Sequence, residues 1–296
     1  MLTERSLFPS ASTVGLVDEI WRYPVKSMQG ELLEHAPITE RGLLGDRAFV
    51  LFDRESGTVA TTKHPRQWGA LLGCSARFVV SPQPGGGLPP IVITLPDGTS
   101  VRSDDADVHV RLSALFGREV ALVTSIDEQP MREADRTPEG ASDGTATIRR
   151  EPFARRAPEG TFFDYGPLLM LSNGTLAAFQ REHPSGSFDA RRFRPNLLID
   201  VGARSDCVEH RWVGQTLLVG ETRMRVIDPC PRCVVTTLAQ GDLPRDLGIL
   251  RAVTAQNPVM SATQSPGSLV SAVAGVYVAA LGSGVLRRGD PITLLP

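Results

Sequence analysis

The chain has 296 residues, of which 41% are hydrophobic and 22% charged, with a formal net charge of -2. That is the composition of an ordinary soluble globular protein long enough for two domains, and it lacks the basic excess that makes nucleic acid a main partner. The first twenty residues show no positive segment leading into an apolar run, and no stretch reaches the roughly 18 apolar residues of a membrane span. The expectation is therefore a cytoplasmic protein with no membrane partner, whose four cysteines are not a disulfide framework.

From Val14 to about Ser125, short β-branched and aromatic runs alternate with Gly, Pro and Asp. "VGLVDEIWRYP", "DRAFVLFD", "RFVV", "IVITL" and "EVALV" read as strands, with "LPDGTSV" as a hairpin turn. "DADVHVRLSALFG" has an Asp start, helical apolar spacing and a Gly stop, and reads as one helix. Residues 126–160 are polar, rich in Pro and Gly and without a sustained period, which predicts a connector or lid. Beyond them, "SNGTLAAFQREHP" is a helix with Ser172 as its N-cap, and "FRPNLLIDV", "TLLVG", "TRMRVID" and "CVVTTL" read as strands. A short helix in "LPRDLGILRAVTAQN" precedes closing strands in "AGVYVAAL" and "DPITLL". Many short strands with few helices predict a mainly β, α+β protein: a β-barrel-like domain over 13–125, a connector over 126–160 and a second β-barrel over 161–296.

Chemistry concentrates in "DPCPRCVVTT", which holds Cys230 and Cys233. Structural zinc needs four ligands, and no second Cys-x-x-Cys or His-x3-His supplies the missing half. A thioredoxin-like pair needs its first cysteine at a helix start, whereas the β-branched "VVTT" predicts a strand. A single reactive or metal-binding thiolate, favoured by Arg232, and a buried inert cysteine both remain open on these residues alone.

Three distant stretches add cations. "WRYPVKSMQGE" places Lys26 and Ser27 after a strand-ending proline; "GLLGDRAFVLFD" places Asp46 and Arg47 after a Gly-rich turn; "RRFRPNLLID" carries Arg191, Arg192, Arg194 and Asn196. Each alone reads as solvated loop charge. Together with Arg232 they form guanidinium forks and an ammonium suited to a phosphate-bearing ligand. Lys26 and Lys63 are the only lysines in an arginine-rich chain, which singles out Lys26 in its motif.

Taken in order, "YPVKS", "GLLGDR", "RFRPN", "PCPRC" followed by "TT", and "GVYVAALGSGVLRRGDPITLL" resemble the MOSC family with its N-terminal β-barrel domain. The likeness is to the mitochondrial amidoxime-reducing component and the bacterial hydroxylaminopurine reductases, and it runs from about Val14 to Pro296 apart from the connector. The resemblance implies a molybdenum cofactor (Mo-molybdopterin) with Cys233 as the protein's metal ligand and Cys230 as a neighbour. It further implies that Lys26, Ser27, Arg47 and Arg194 hold the phosphate and pterin, and that Tyr165, Gly166, Pro231, Arg232 and Tyr277 line the pocket.

The implied activity is a molybdenum-dependent oxidoreductase that reduces N-hydroxylated small molecules. With no further cysteine cluster in the chain, its electrons are expected from a separate electron-donor protein. Two other readings stand beside it: a sulfurtransferase carrying a persulfide on Cys233 or Cys230, and a cofactor carrier. The chain departs from the family pattern at "VEHRW", where His210 replaces an acid, and at "AQGDLP" after the cysteine motif.

Overall fold

In a computed structural model, the described residues are 12–136, 147–153, 157–158, 161–256 and 258–296. They are mainly strands, with four short α-helices among them. No described helix is long and apolar enough to cross a membrane.

Seven strands close into a barrel. Going round it, Leu197–Asp200 pairs with Leu168–Ser172, then follow Val273–Ala280, Thr222–Pro231, Thr216–Val219, Pro291–Leu294 and Ser12–Arg22, which returns to Leu197–Asp200. All pairs are antiparallel except Leu168–Ser172 with Leu197–Asp200. Alternate side chains point inward, as barrel geometry requires, so Leu168 and Met170, Val276 and Val278, Met224 and Val226, and Leu217 and Val219 fill one core. Each such buried aliphatic contributes about 1.5–3 kcal/mol relative to exposure.

The closing strand Ser12–Arg22 is shared. Its first half pairs with Pro291–Leu294, its last three residues pair with Glu31–Leu33, and Leu16 to Ile20 pair with Leu197–Asp200 on the other edge. Register shifts at Thr13/Gly15 and Val17/Glu19 bend it between these partners. A Cβ at Gly15 would lie 2.7 Å from the Asp200 carbonyl oxygen, so the close approach needs glycine. The N-terminal stretch thus completes the C-terminal barrel before entering its own core.

That second core gathers Val25, Met28, Phe49, Leu51, Trp68, Leu71, Ile91, Ile93, Leu112 and Val120. The anticipated strands form there as Val50–Asp53, Ser75–Phe78, Ile91–Thr94 and Val120–Val123. In the turn after Ile91–Thr94, Asp97 accepts from the Thr99 amide and Gly98 takes φ 84°. The helix Val108–Phe116 stops at left-handed Gly117, as its sequence predicts, although Asp107 makes no side-chain cap.

Two segments differ from expectation. Within the polar connector, Met131–Arg136 and Thr147–Pro152 pair antiparallel over six positions and join the sheet through Arg132 and Val59. Their strand signal is electrostatic: Arg132 and Arg136 both meet Glu151 across the pair, so no apolar alternation marks them. The intervening 137–146 lie outside the described residues.

The second difference is Val234–Thr237, a 3-10 turn and not a strand. Thr236 and Thr237 hydroxyls donate to the carbonyls of Cys233 and Val234, at 3.1 and 2.7 Å. Buried Arg192 donates to the carbonyls of Thr236, Leu238 and Pro244. Side chains thereby satisfy the backbone that a neighbouring strand would otherwise pair, and local hydrogen bonding overrides β propensity. The cysteine motif is a strand end running into a helical turn.

Candidate functional site

Between the two cores lies a cleft whose walls come from both. Lys26, Ser27, Arg47, Gly166, Arg194, Pro231, Arg232, Cys233 and Tyr277 all line it, so all five motifs of the resemblance meet here. Tyr165 stands behind this lining: its ring packs on Tyr277 with centroids 5.2 Å apart, and its hydroxyl meets Thr263 Oγ1 at 2.6 Å.

Backbone strain marks the same place. The non-glycine residues with positive φ among the described residues are Ser27 (68°), Arg47 (48°), Arg194 (55°) and Ala272 (53°). A left-handed L-residue costs about 1–2 kcal/mol. Three of the four line the cleft, and Ala272 accepts the Arg232 amide at 2.8 Å. Strain of this kind persists where surrounding structure over-determines it, commonly at ligand clamps.

Arg47 and Arg194 both lie over the buried Tyr23 ring, with guanidinium carbons 4.3 and 4.4 Å from its centroid. The Tyr23 hydroxyl donates to the Pro195 carbonyl at 3.1 Å. Arg194 also donates to the Met28 carbonyl at 2.6 Å, and Arg47 to the Asp46 carboxylate. Burial, reinforced by the Arg47 charge, pulls the Arg194 pKa down to about 10. The Asp46 carboxylate beside Arg47 offsets part of the cost of two like charges on one ring.

Lys26 donates from Nζ to the Phe162 carbonyl at 2.9 Å and to Asp164 Oδ1 at 3.0 Å. Burial lowers its pKa to about 8 although Asp164 opposes the shift. Asp164 is also approached by Lys63 at 3.7 Å and by Arg132 from the connector hairpin. Burial raises its pKa, but Lys26, Lys63 and Arg132 outweigh that and hold it well below the usual carboxylate range. Among the described residues it is the only carboxylate on the cleft lining, which also carries Lys26, Lys63, Arg47, Arg192, Arg194 and Arg232. This surplus of positive charge, some of it desolvated, fits an anionic occupant such as a phosphate-bearing pterin.

The cysteines differ from one another. Cys230 is 3% exposed and its Sγ points to the Pro231 carbonyl at 3.9 Å; burial pushes its thiol pKa up, with Arg232 opposing. Cys233 is half-buried on the cleft lining. Arg232 spends its guanidinium on carbonyls, donating to Phe193 and Ala274, and so braces the loop between the cysteines. All four cysteines are free, and the described residues contain no cluster of three or more His, Cys, Asp or Glu able to hold a metal ion.

Sequence reasoning missed Asp164 and Lys63. The rarity of lysine was the usable signal, since both lysines of the chain reach this cleft. At the departure "VEHRW", Glu209 is fully buried and accepts from Ser172 and Thr175, holding the start of helix Asn173–Glu182. His210 beside it is 8% exposed, and burial lowers its pKa.

A closed barrel joined to a second β core, with a cationic cleft and one accessible thiol between them, is the frame of a two-part MOSC protein. The MOSC domain matches residues 158–293 and the MOSC N-terminal beta barrel domain matches residues 14–71; the chain belongs to this family. It is 25% identical to mitochondrial amidoxime-reducing component 1 of Homo sapiens over 95% of this chain and 83% of that protein. It is 27% identical to the molybdenum cofactor sulfurase of Oryza sativa subsp. japonica over 74% of this chain and 28% of that protein. Among solved structures, the YUAD protein from Bacillus subtilis aligns over 96% of this chain and 94% of that one, with 10% identity and a TM-score of 0.41.

Proposed function

We propose that this protein is a molybdenum-cofactor-dependent reductase of N-hydroxylated compounds, with Cys233 as the protein's ligand to the metal. The observation that carries the reading is the half-buried Cys233 thiol, beside buried Cys230, on a cleft whose described lining carries six cations and one carboxylate. When bound, the cofactor supplies the two-electron reduction that, with two protons, converts an N–O bond to N–H and water.

The chain's own residues do the rest. Lys26, Ser27, Arg47 and Arg194 hold the phosphate and pterin, while Gly166, Pro231 and Tyr277 shape the pocket and Tyr165 supports Tyr277. Arg232 braces the thiolate loop through its carbonyl bonds, and Asp46 keeps the Arg47 fork in place. Electrons come from a separate donor protein. Similarity along most of the chain to an amidoxime-reducing component supports this substrate class.

Similarity to a molybdenum cofactor sulfurase favours a second reading, a persulfide carried on Cys233. Metal analysis of protein from a cofactor-competent host separates the two. Molybdenum near one per chain, lost in Cys233→Ala, together with reduction of hydroxylamine by an artificial donor, is the expected result. Absence of metal with a persulfide on Cys233 would sink the reductase.

A further inference from the structure

Asp228 lies three residues before Pro231 in strand Thr222–Pro231 and is fully buried, yet it lies outside the cleft lining. Its carboxylate accepts five hydrogen bonds from a single turn: Ser261 Oγ, the amides of Ala262, Thr263 and Gln264, and Thr263 Oγ1, at 2.6–3.1 Å. Gln264 Nε2 ties the same turn to the Pro229 carbonyl at 2.9 Å. An ionised carboxylate only accepts, so the Thr263 hydroxyl donates to Asp228 and its oxygen is left to accept from Tyr165.

Tyr165 in turn packs on Tyr277 at 52° between ring planes. Tyr277 is pressed against Gly166, where a Cβ would come within 2.9–3.1 Å of the tyrosine Cβ, Cγ and Cδ1. The chain of contacts runs from Asp228 through Thr263 and Tyr165 to a ring on the cleft wall shared with Cys233.

We infer that Asp228 is a positioning residue for substrate choice: by anchoring the turn Ser261 to Gln264 it fixes Tyr165 behind Tyr277, and so holds the Tyr277 ring as an aromatic wall of the cleft that selects N-hydroxylated compounds with a planar, unsaturated body. This rests on the reductase reading. A fixed Tyr277 ring offers a stacked or edge contact to a planar π system, whereas hydroxylamine itself has no body to pack there. Loss of the anchor lets the wall move without removing any group from the cofactor cradle.

The experiment compares benzamidoxime with hydroxylamine, using molybdenum-loaded protein and a reduced viologen as donor. In Thr263→Val, KM for benzamidoxime is expected to rise severalfold to about tenfold with kcat within a factor of about two, the scale of one lost aromatic contact. Hydroxylamine kinetics and molybdenum content stay unchanged, and Thr263→Ser restores the benzamidoxime KM. Asp228→Asn gives the same selective change if it folds, and Thr263→Val keeps the test alive if it does not.

Equal effects on both substrates, or no effect on either, would overturn the inference. Wild-type protein that holds molybdenum but reduces neither compound defeats the reductase reading instead. The wall is then read by hydrogen exchange, where Thr263→Val must loosen 161–166 and 259–270 selectively; unchanged exchange there overturns it independently.

Discussion

Asp46 and Arg47 are neighbours in sequence that remain partners in space: one Asp46 oxygen accepts from Arg47 and from Asn196 Nδ2, and the other from the Tyr23 amide at 2.7 Å. The carboxylate is 1% exposed, so it is a buried hub joining the N-terminal strand, the left-handed turn at Arg47 and the Asn196 strand start. Removing it strands a partly buried guanidinium. Asp46→Ala is expected to lower stability by about 3 kcal/mol, read from urea unfolding with an unchanged m-value. A loss under about 0.5 kcal/mol would show that Arg47 is held by its other contacts.

The lowered pKa of Lys26, about 8, sets a pH dependence. Between that value and the ordinary lysine value near 10.5 the unfolded chain binds more protons than the folded one, so this group makes cofactor-free protein gain stability as pH rises through the interval. Anion binding has the opposite sign, because it needs the charged lysine. Thermal stabilisation by inorganic pyrophosphate should be full at pH 7 and its affinity should weaken by up to about tenfold per pH unit above 8. Lys26→Met should bind weakly with no such break; a break that survives in this variant assigns the titration elsewhere.

Thiol accessibility tests the cysteine assignment without any cofactor. Burial raises Cys74 to about 12 and Cys207 to about 11, and raises Cys230 as well, whereas Cys233 is the half-buried thiol on the cleft. Iodoacetamide at pH 8, followed by peptide mass analysis, should label Cys233 at least about tenfold faster than Cys230. Cys230→Ala should still bind molybdenum. Faster labelling of Cys230, or metal loss in that variant, would transfer the ligand role to it.

Ser172 caps helix Asn173–Glu182 by accepting from the Thr175 amide at 3.0 Å, and its hydroxyl is shared with buried Glu209. Ser172→Ala removes the cap and one donor to a buried carboxylate. The expected cost is about 2 kcal/mol in denaturant unfolding, at the upper end for N-caps. Ser172→Thr should recover most of it, and equal losses in both would point to packing instead of capping.

Local signals were legible wherever the chain satisfied itself locally. The Ser172 cap, the Gly117 stop, the hairpin at Gly98 and the alternating barrel strands follow from side-chain periodicity and turn chemistry. So did the cations, because Lys, Arg and Cys in ordered motifs announce their chemistry before they meet. The connector hairpin stayed hidden because its strands pair through Arg132, Arg136 and Glu151 and carry no apolar period.

Sequence by itself thus determined a mainly β protein and the residue types of a cationic, thiol-bearing cleft. Tertiary structure alone decided that Ser12–Arg22 closes a barrel with strands about 180 to 280 positions away, since such pairings depend on loop closure and register and leave no mark on either partner. It also decided that "VVTT" turns, because Arg192 arrives from another motif to take the Thr236 carbonyl and the Leu238 carbonyl just beyond it, and that Asp164 and Lys63 join the cleft. Propensity is a fraction of a kcal/mol per residue, and a buried guanidinium holding three carbonyls outweighs it.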